Sequence, residues 1–461
     1  MRSYSYDDQE RLTQFANAHP TAGNLATYGY GYDLNNGTGA YTMLGQRTSM
    51  TADVPGQSLC SALTKYYYDN LYQFTRADYP TAAPFSGEVH SWTYDAIGNR
   101  LTNTINGATG SYTYQKLGTN PNNWQRLNSD GINSYTYDPN GNTATRTGYT
   151  LGWDYENRMA SITGGATATY TYDYSGRRSG KTISGATTTD LYDGLNLIAE
   201  TTAGTTTYHL FGPGIDEPLA SSSGSSLVYE SVDGLGSAAL GTDVSGALQN
   251  SYTYDAWGAS RSSSESFAQP FRYTARERGD ANNDLFYRAR FYTPGIGRFL
   301  SEDPLLAILP RNDPDLNRMF KPYVYVNSNP VFFRDPLGWV DCGPYPQQTG
   351  RCGADAAARY MWGLCALQNN LSAASNVDTY LVSGALGFVL GLATTRSGPG
   401  AVAGAAAGVV VSVTWSWFRS TNQMAAAEAA LLSEYRRALD QCKGLNACVF
   451  PRPPYRGSGP L

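Results

Sequence analysis

Trp92-Thr93-Tyr94-Asp95-Ala96-Ile97-Gly98-Asn99-Arg100-Leu101 decides the fold, because its pattern recurs along the chain. Two aromatic rings one residue apart share a face of a β-strand, since strand side chains alternate with a period of two. Asp95 stands where the chain reverses. Its carboxylate can accept from nearby backbone N–H groups, and Gly98-Asn99 tolerate a positive φ. Arg100-Leu101 then opens the return strand. Ten residues thus predict a hairpin, and a lone hairpin cannot bury its ring-bearing face.

Fuller copies are Tyr66-Tyr67-Tyr68-Asp69-Asn70-Leu71, Tyr135-Thr136-Tyr137-Asp138-Pro139-Asn140-Gly141-Asn142 and Tyr170-Thr171-Tyr172-Asp173-Tyr174-Ser175-Gly176-Arg177-Arg178. Weaker ones begin at Tyr4, Tyr30, Trp153 and Tyr252. The spacing wanders around roughly 20 residues, a period that signals stacked units sharing one core. The 36 Tyr and 49 Gly among 461 residues fit this, one for pleated surfaces and the other for turns. A ligand-binding ladder of Tyr-Asp pairs, for sugar or metal, is the competing reading. Packing is the default role of such residues in a repeat.

These residues resemble YD/RHS repeats, known from bacterial RHS toxins, the cage subunit of insecticidal toxin complexes, and animal teneurins. The resemblance covers about residues 1–339. It implies a mainly β fold: a spiralling sheet that forms a hollow shell around a C-terminal passenger. Periodicity by itself does not imply the hollow. The expected domains are a repeat region over 1–268, a repeat-associated core domain over 269–339, and a variable, mainly α-helical domain over 340–461.

The core domain rests on an ordered series of motifs. They are Pro270-Phe271-Arg272-Tyr273-Thr274-Ala275-Arg276-Glu277, Tyr287-Arg288-Ala289-Arg290-Phe291-Tyr292, Gly297-Arg298-Phe299-Leu300-Ser301-Glu302-Asp303-Pro304 and Arg334-Asp335-Pro336-Leu337-Gly338-Trp339. In many family members this domain is a self-cleaving aspartyl protease. Carried over, the resemblance implies a dyad of Asp303 and Asp335, support from Arg298 or Arg334, and a cut between Trp339 and Val340. The chemistry is sound, because two close carboxyls cannot both ionise and so supply an acid and a base. Three features depart from the family: Asp303-Pro304-Leu305-Leu306 lacks its glycine, 307–322 is longer and adds Asp313-Pro314-Asp315, and Thr293 stands where Asp is common. The plainer reading of both aspartates is turn capping before proline.

Beyond Trp339 tyrosine thins out and alanine rises. Helices are expected over 354–371 and 424–439. Between them lie two apolar stretches within 380–418, with Gly387/Gly391 and Gly400/Gly404/Gly408 at the four-residue step that lets helices approach closely. Trp415, Trp417 and Arg419 would suit a membrane interface. A bilayer-inserting hairpin and a soluble packed one both fit. Of six cysteines, five lie in this tail, and pairs such as Cys342–Cys352 and Cys442–Cys448 would suit an oxidising compartment.

Some functions are excluded on composition. No histidine follows His209, so the tail lacks His-based nuclease or triad chemistry, and its acids do not cluster for a metal. No cofactor is expected. The body carries 24 Lys and Arg against 32 Asp and Glu, an acidic balance that offers no footprint for nucleic acid. The start inside a repeat, without an export signal, suggests the end of a longer exported chain, secreted or held at a bacterial envelope. The expected role is a carrier of its own effector, with an immunity protein as a further partner. An adhesion protein and a membrane-acting toxin are the alternatives.

Overall fold

The structure, a computed structural model, describes residues 1–8, 11–20, 22–32, 46–54, 59–115 (side chains of 59–61 excepted), 125–279, 282–304 and 321–338. All of them belong to one compact unit, Met1–Asp341. Within it, strands pair antiparallel with their neighbours in sequence. A nine-stranded sheet runs from Arg2–Tyr6 to Ala108–Ser111, and a fourteen-stranded sheet from Tyr135–Tyr137 to Ser260–Glu265. A two-stranded ladder of Thr113–Tyr114 with Leu127–Ser129 lies between them in sequence. The described residues contain no α-helix, so the mainly β expectation holds for them. The α-helical expectation for 340–461 lies outside the described residues.

The predicted turn forms as its residues dictate. Asp95 Oδ1 accepts from the N–H of Ile97 (3.0 Å) and Asn99 (2.8 Å), while Gly98 donates to the Asp95 carbonyl at a φ of +87°. Asp138, Asp154, Asp173 and Asp255 close equivalent turns. One detail recurs. The second ring of each pair faces the residue six positions on, across a β-bulge: Tyr94 opposite Arg100, Tyr137 opposite Thr143, Tyr172 opposite Arg178.

The two rings of a unit do different work. The first is buried, as at Tyr66, Trp92, Tyr135 and Tyr170. The second is half-buried, and its polar tip reaches the preceding hairpin. Tyr94 Oη donates to the Phe74 carbonyl (2.6 Å), Tyr172 Oη to Met159 (2.7 Å) and Trp153 Nε1 to Thr143 (2.8 Å). Each accepting carbonyl belongs to a residue facing the previous unit's second ring across its bulge. A bulge disrupts the local ladder, and the ring tip supplies the missing donor. Ring packing was legible in the sequence; this lacing between units was not.

The return strand inverts a simple hydrophobic expectation: Arg100 is 4% exposed and Leu101 39%. Arg47, Arg100 and Arg178 all point to the ring-bearing face, with Arg100 over Trp257 (4.2 Å) and Arg47 over Tyr30 (4.0 Å). The two large sheets meet through that face, where Phe15, Tyr28 and Tyr30 pack with Val232, Ala239 and Leu240. The core segment fills the rest. Its four short strands, Glu277–Arg278, Leu285–Tyr287, Arg290–Thr293 and Arg298–Phe299, place Tyr287, Tyr292 and Phe299 in one cluster with Tyr325, Phe74, Trp92 and Trp257.

Candidate active site

Asp303 and Asp335 are 32 residues apart in sequence, yet one guanidinium serves both. Arg290 Nη2 lies 3.0 Å from Asp303 Oδ2 and 3.2 Å from Asp335 Oδ2. All three side chains are buried, Asp335 completely. The Arg290 cation also lies 3.6 Å above the Phe299 ring, and its Nη1 donates to the Pro322 carbonyl (3.1 Å). The structure therefore brings two buried carboxylates onto one guanidinium nitrogen. Capping of a turn before proline would not require such convergence.

Arg290 holds this place because of the turn before it. Leu285–Tyr287 and Arg290–Thr293 form a hairpin with Tyr287 opposite Arg290, leaving Arg288-Ala289 as a two-residue connection. Arg288 sits at φ +56°, a region where a long side chain is costly and where Gly or Asn is the usual choice. Such strain at a site is tolerated where the side chain is needed elsewhere. Arg288 donates from Nη1 to the Pro336 carbonyl and from Nη2 to the Leu195 carbonyl (3.0 Å).

The chain that follows Asp335 is gripped carbonyl by carbonyl. Pro336 O accepts from Arg288 and from Arg276 Nη1 (3.3 Å), Leu337 O from the Ala289 N–H (3.2 Å), and Gly338 O from Arg290 Nε. Gly338 has a φ of +73°, and a Cβ there would come 2.4 Å from the Tyr287 carbonyl. Only glycine lets the chain lie this close.

The two supporting arginines expected from sequence are placed elsewhere. Arg298 donates to Asn99 Oδ1 (3.4 Å) and to the Gln125 carbonyl, with Tyr114 and Tyr323 rings beside it. Arg334 lies against Gly236 of the second sheet, and burial lowers its pKa. The arginine that touches both aspartates is Arg290. It stood within the motif Tyr287-Arg288-Ala289-Arg290, but nothing in spacing told which of its two arginines would turn inward. Thr293, where Asp is common, donates to Asp284 Oδ1 (2.7 Å), an acid that also pairs with Arg146 (3.2 Å). Trp339, Val340, the cysteines Cys342, Cys352, Cys442 and Cys448, the segment 380–418 and the insertion 305–320 all lie outside the described residues. Among the described residues no metal-binding group of His, Cys, Asp and Glu occurs, and no helix is long and apolar enough to cross a membrane.

Known proteins share this body. No family model matches the chain. A tRNA3(Ser)-specific nuclease, WapA, of Bacillus spizizenii is 33% identical over 266 residues, 55% of this chain and 11% of that protein. Double-stranded DNA deaminase toxin A of Burkholderia cenocepacia is 24% identical over 60% of this chain and 22% of its own length. Toxin subunit YenC1 of Yersinia entomophaga is 25% identical over 59% and 33%. The chain thus spans about a tenth to a third of these relatives. Among solved structures, the TcdB2-TccC3 complex matches at a TM-score of 0.55 and 21% identity over 73% of this chain and 18% of its own. The Photorhabdus luminescens Tc holotoxin pore matches at 0.56 and 21% over 74% and 18%. Two of these relatives are named as toxins and one as a tRNA nuclease, and the β body has the fold of a Tc toxin component.

Proposed function

We propose that this chain is an RHS-type carrier that encloses its own C-terminal effector and frees it by cutting itself between Trp339 and Val340. One observation supports this above all. The cluster of Asp303, Asp335 and Arg290 adjoins a chain segment whose last described carbonyl, Gly338, is already bound by Arg290. Two carboxyls held against one guanidinium nitrogen repel each other when both are ionised, which favours a proton on one of them. The ionised aspartate then takes a proton from water as its oxygen bonds to the Trp339 carbonyl carbon. The protonated aspartate donates to the departing Val340 nitrogen as the C–N bond breaks. Water is consumed, and both chains leave with ordinary termini.

In this reading the cargo is the chain beyond Trp339, including the glycine-spaced apolar stretch over 380–418. An immunity protein would meet it in the producing cell. Toxin relatives favour delivery outside that cell, at the envelope or beyond it. No cofactor is called for, and the acidic body offers nothing to nucleic acid. Intact-mass measurement of the purified chain is the test. Two species meeting at Trp339/Val340, restored to one by Asp303→Asn or Asp335→Asn, are expected. A single uncut mass for the parent chain would remove self-cleavage from the reading.

A further inference from the structure

A peptide bond is cut at one position only if the chain enters the site in one register. Here the register is set upstream of the expected cut, at Pro336, where two guanidiniums converge on one carbonyl. Arg276 and Arg288 are like charges side by side, the first buried and the second largely so. Burial and the neighbouring Arg288 lower Arg276 to about 9, and burial lowers Arg288 to about 10. A pair of this kind holds its place only if a counter-charge lies between its members.

Asp216 is that counter-charge. Its Oδ1 accepts from Arg276 Nη2 and from Arg288 Nη2 (2.7 Å), and its Oδ2 lies 3.4 Å from Arg288 Nη1. The side chain is 2% exposed. Asp216 belongs to neither the core segment nor any motif in the sequence. It sits at φ +59° in the connection between Thr205–Phe211 and Pro218–Ser223 of the second sheet. That connection is itself built: Gly212 N–H donates to the Glu217 carbonyl (2.9 Å) and Gly214 N–H to Glu217 Oε2 (3.1 Å). Glu217 in turn pairs with Arg2 of the first sheet (3.6 Å), and Arg2 Nη2 donates to the Pro218 carbonyl (2.6 Å).

We propose that Asp216 is a positioning residue for the self-cleavage: acting through Arg276 and Arg288, it fixes the Pro336 carbonyl and so the register in which the chain reaches Asp303 and Asp335. The proposal rests on the reading of those aspartates given above. It adds a physical link between assembly and cutting, because Asp216 reaches the arginines only when the second sheet has closed on the core segment. Its loop is further tied down only when the first sheet's edge has docked.

The experiment uses the full chain, following the cut over time on gels and locating it by intact mass. Asp216→Asn keeps the shape and removes the charge. Cutting is expected to slow on the order of 100-fold, with new products ending one or two residues from Trp339. Asp216→Glu is expected to restore the single cut. A residue that merely stabilised the fold would change the yield of cut protein, not the position of the cut. Should Asp216→Asn fail to fold, Arg288→Lys serves instead. A lysine ammonium cannot span Asp216, Leu195 and Pro336 together, so the same slowing and scatter are expected in protein that circular dichroism shows to be folded. If the parent cuts and both folded variants cut at the same bond and rate, positioning is refuted while self-cleavage stands. If the parent does not cut, both fall.

Discussion

Arg178 offers the sharpest test of how the core segment is bound to the repeat sheets. Its side chain is 0% exposed, 3.0 Å from Asp190 of the second sheet and 2.8 Å from Glu277 of the core segment. Glu277 also accepts from Tyr192 Oη at 3.0 Å, and the guanidinium lies 4.9 Å from the Phe286 ring. Arg178→Met keeps most of the volume and removes the cation that touches both carboxylates. Breaking a buried pair in this way costs about 3–5 kcal/mol. The cost should depend on pH. Burial already raises Asp190 to about 6, against the pull of Arg178, with Glu277 adding to the rise. Its folded value thus lies above its unfolded one, so its contribution is full below about pH 4 and declines as pH rises through about 6. Without Arg178 that window moves further up, and protonation rescues the variant in acid. Urea midpoints at pH 5 and pH 8 measure the effect: a larger loss at pH 8 is expected. A loss below about 1 kcal/mol at pH 8, or an equal loss at both values, would refute the account, since a true buried pair leaves a penalty several times that size.

Other outcomes follow from single contacts. Tyr94→Phe and Tyr172→Phe each remove one lacing bond and should each cost about 1 kcal/mol in chemical denaturation, whereas a solvent-facing phenol such as that of Tyr174, 92% exposed, should cost nothing measurable. Burial raises Glu230 to about 7 from an ordinary 4.5, so its ionised form opposes folding as pH rises between those values. Glu230→Gln should therefore stabilise the protein at pH 8 by up to about 3 kcal/mol and change little at pH 4, read from melting curves at the two values. Gly338→Ala should displace the strand from Arg290 and abolish the cut while leaving the repeat sheets intact by circular dichroism, because the added Cβ would meet the Tyr287 carbonyl at 2.4 Å.

What the sequence made legible was local. Tyr94 and Asp95 announce a strand and its turn because both effects act within a few residues, through side-chain alternation and a carboxylate capping its own loop. The same holds for Tyr172 and Asp173. The candidate aspartates were legible too, as Asp303-Pro304 and Asp335-Pro336, though only through a family likeness. The partner that joins them was not. Arg290 and Arg288 differ by one turn geometry, and that geometry, a positive φ at an arginine, runs against local preference. Asp216 had no signal at all, since its partners are 60 and 72 residues away and it sits in a connection with no repeat pattern. Burial of Arg100 with Leu101 left outside was equally hidden. Arg100 faces inward because the rings of Trp92, Tyr112 and Trp257 await it, and Trp257 lies far along the chain.

This split between local and distant contacts implies an order of assembly. Every strand pair in the two large sheets joins neighbours in sequence, and the lacing rings reach only one hairpin back. Such contacts close short loops, so their entropic cost is small and the sheets can extend unit by unit. The proposed dyad is different. The Asp303 side is anchored to the region 126–143, where Arg126 pairs with Glu302 (3.1 Å), Tyr323 Oη donates to the Gly141 carbonyl (2.7 Å) and Thr143 N–H to Leu300 O (2.8 Å). The Asp335 side is anchored through Arg288 to Leu195 and Asp216. Neither anchor fixes the other's carboxylate. The two meet on Arg290 only after the strands carrying both anchors belong to one sheet, so an incompletely formed body would hold intact motifs and no active site. If the proposed cut occurs, distance in sequence between the anchors would keep the chain whole until the body around them has formed.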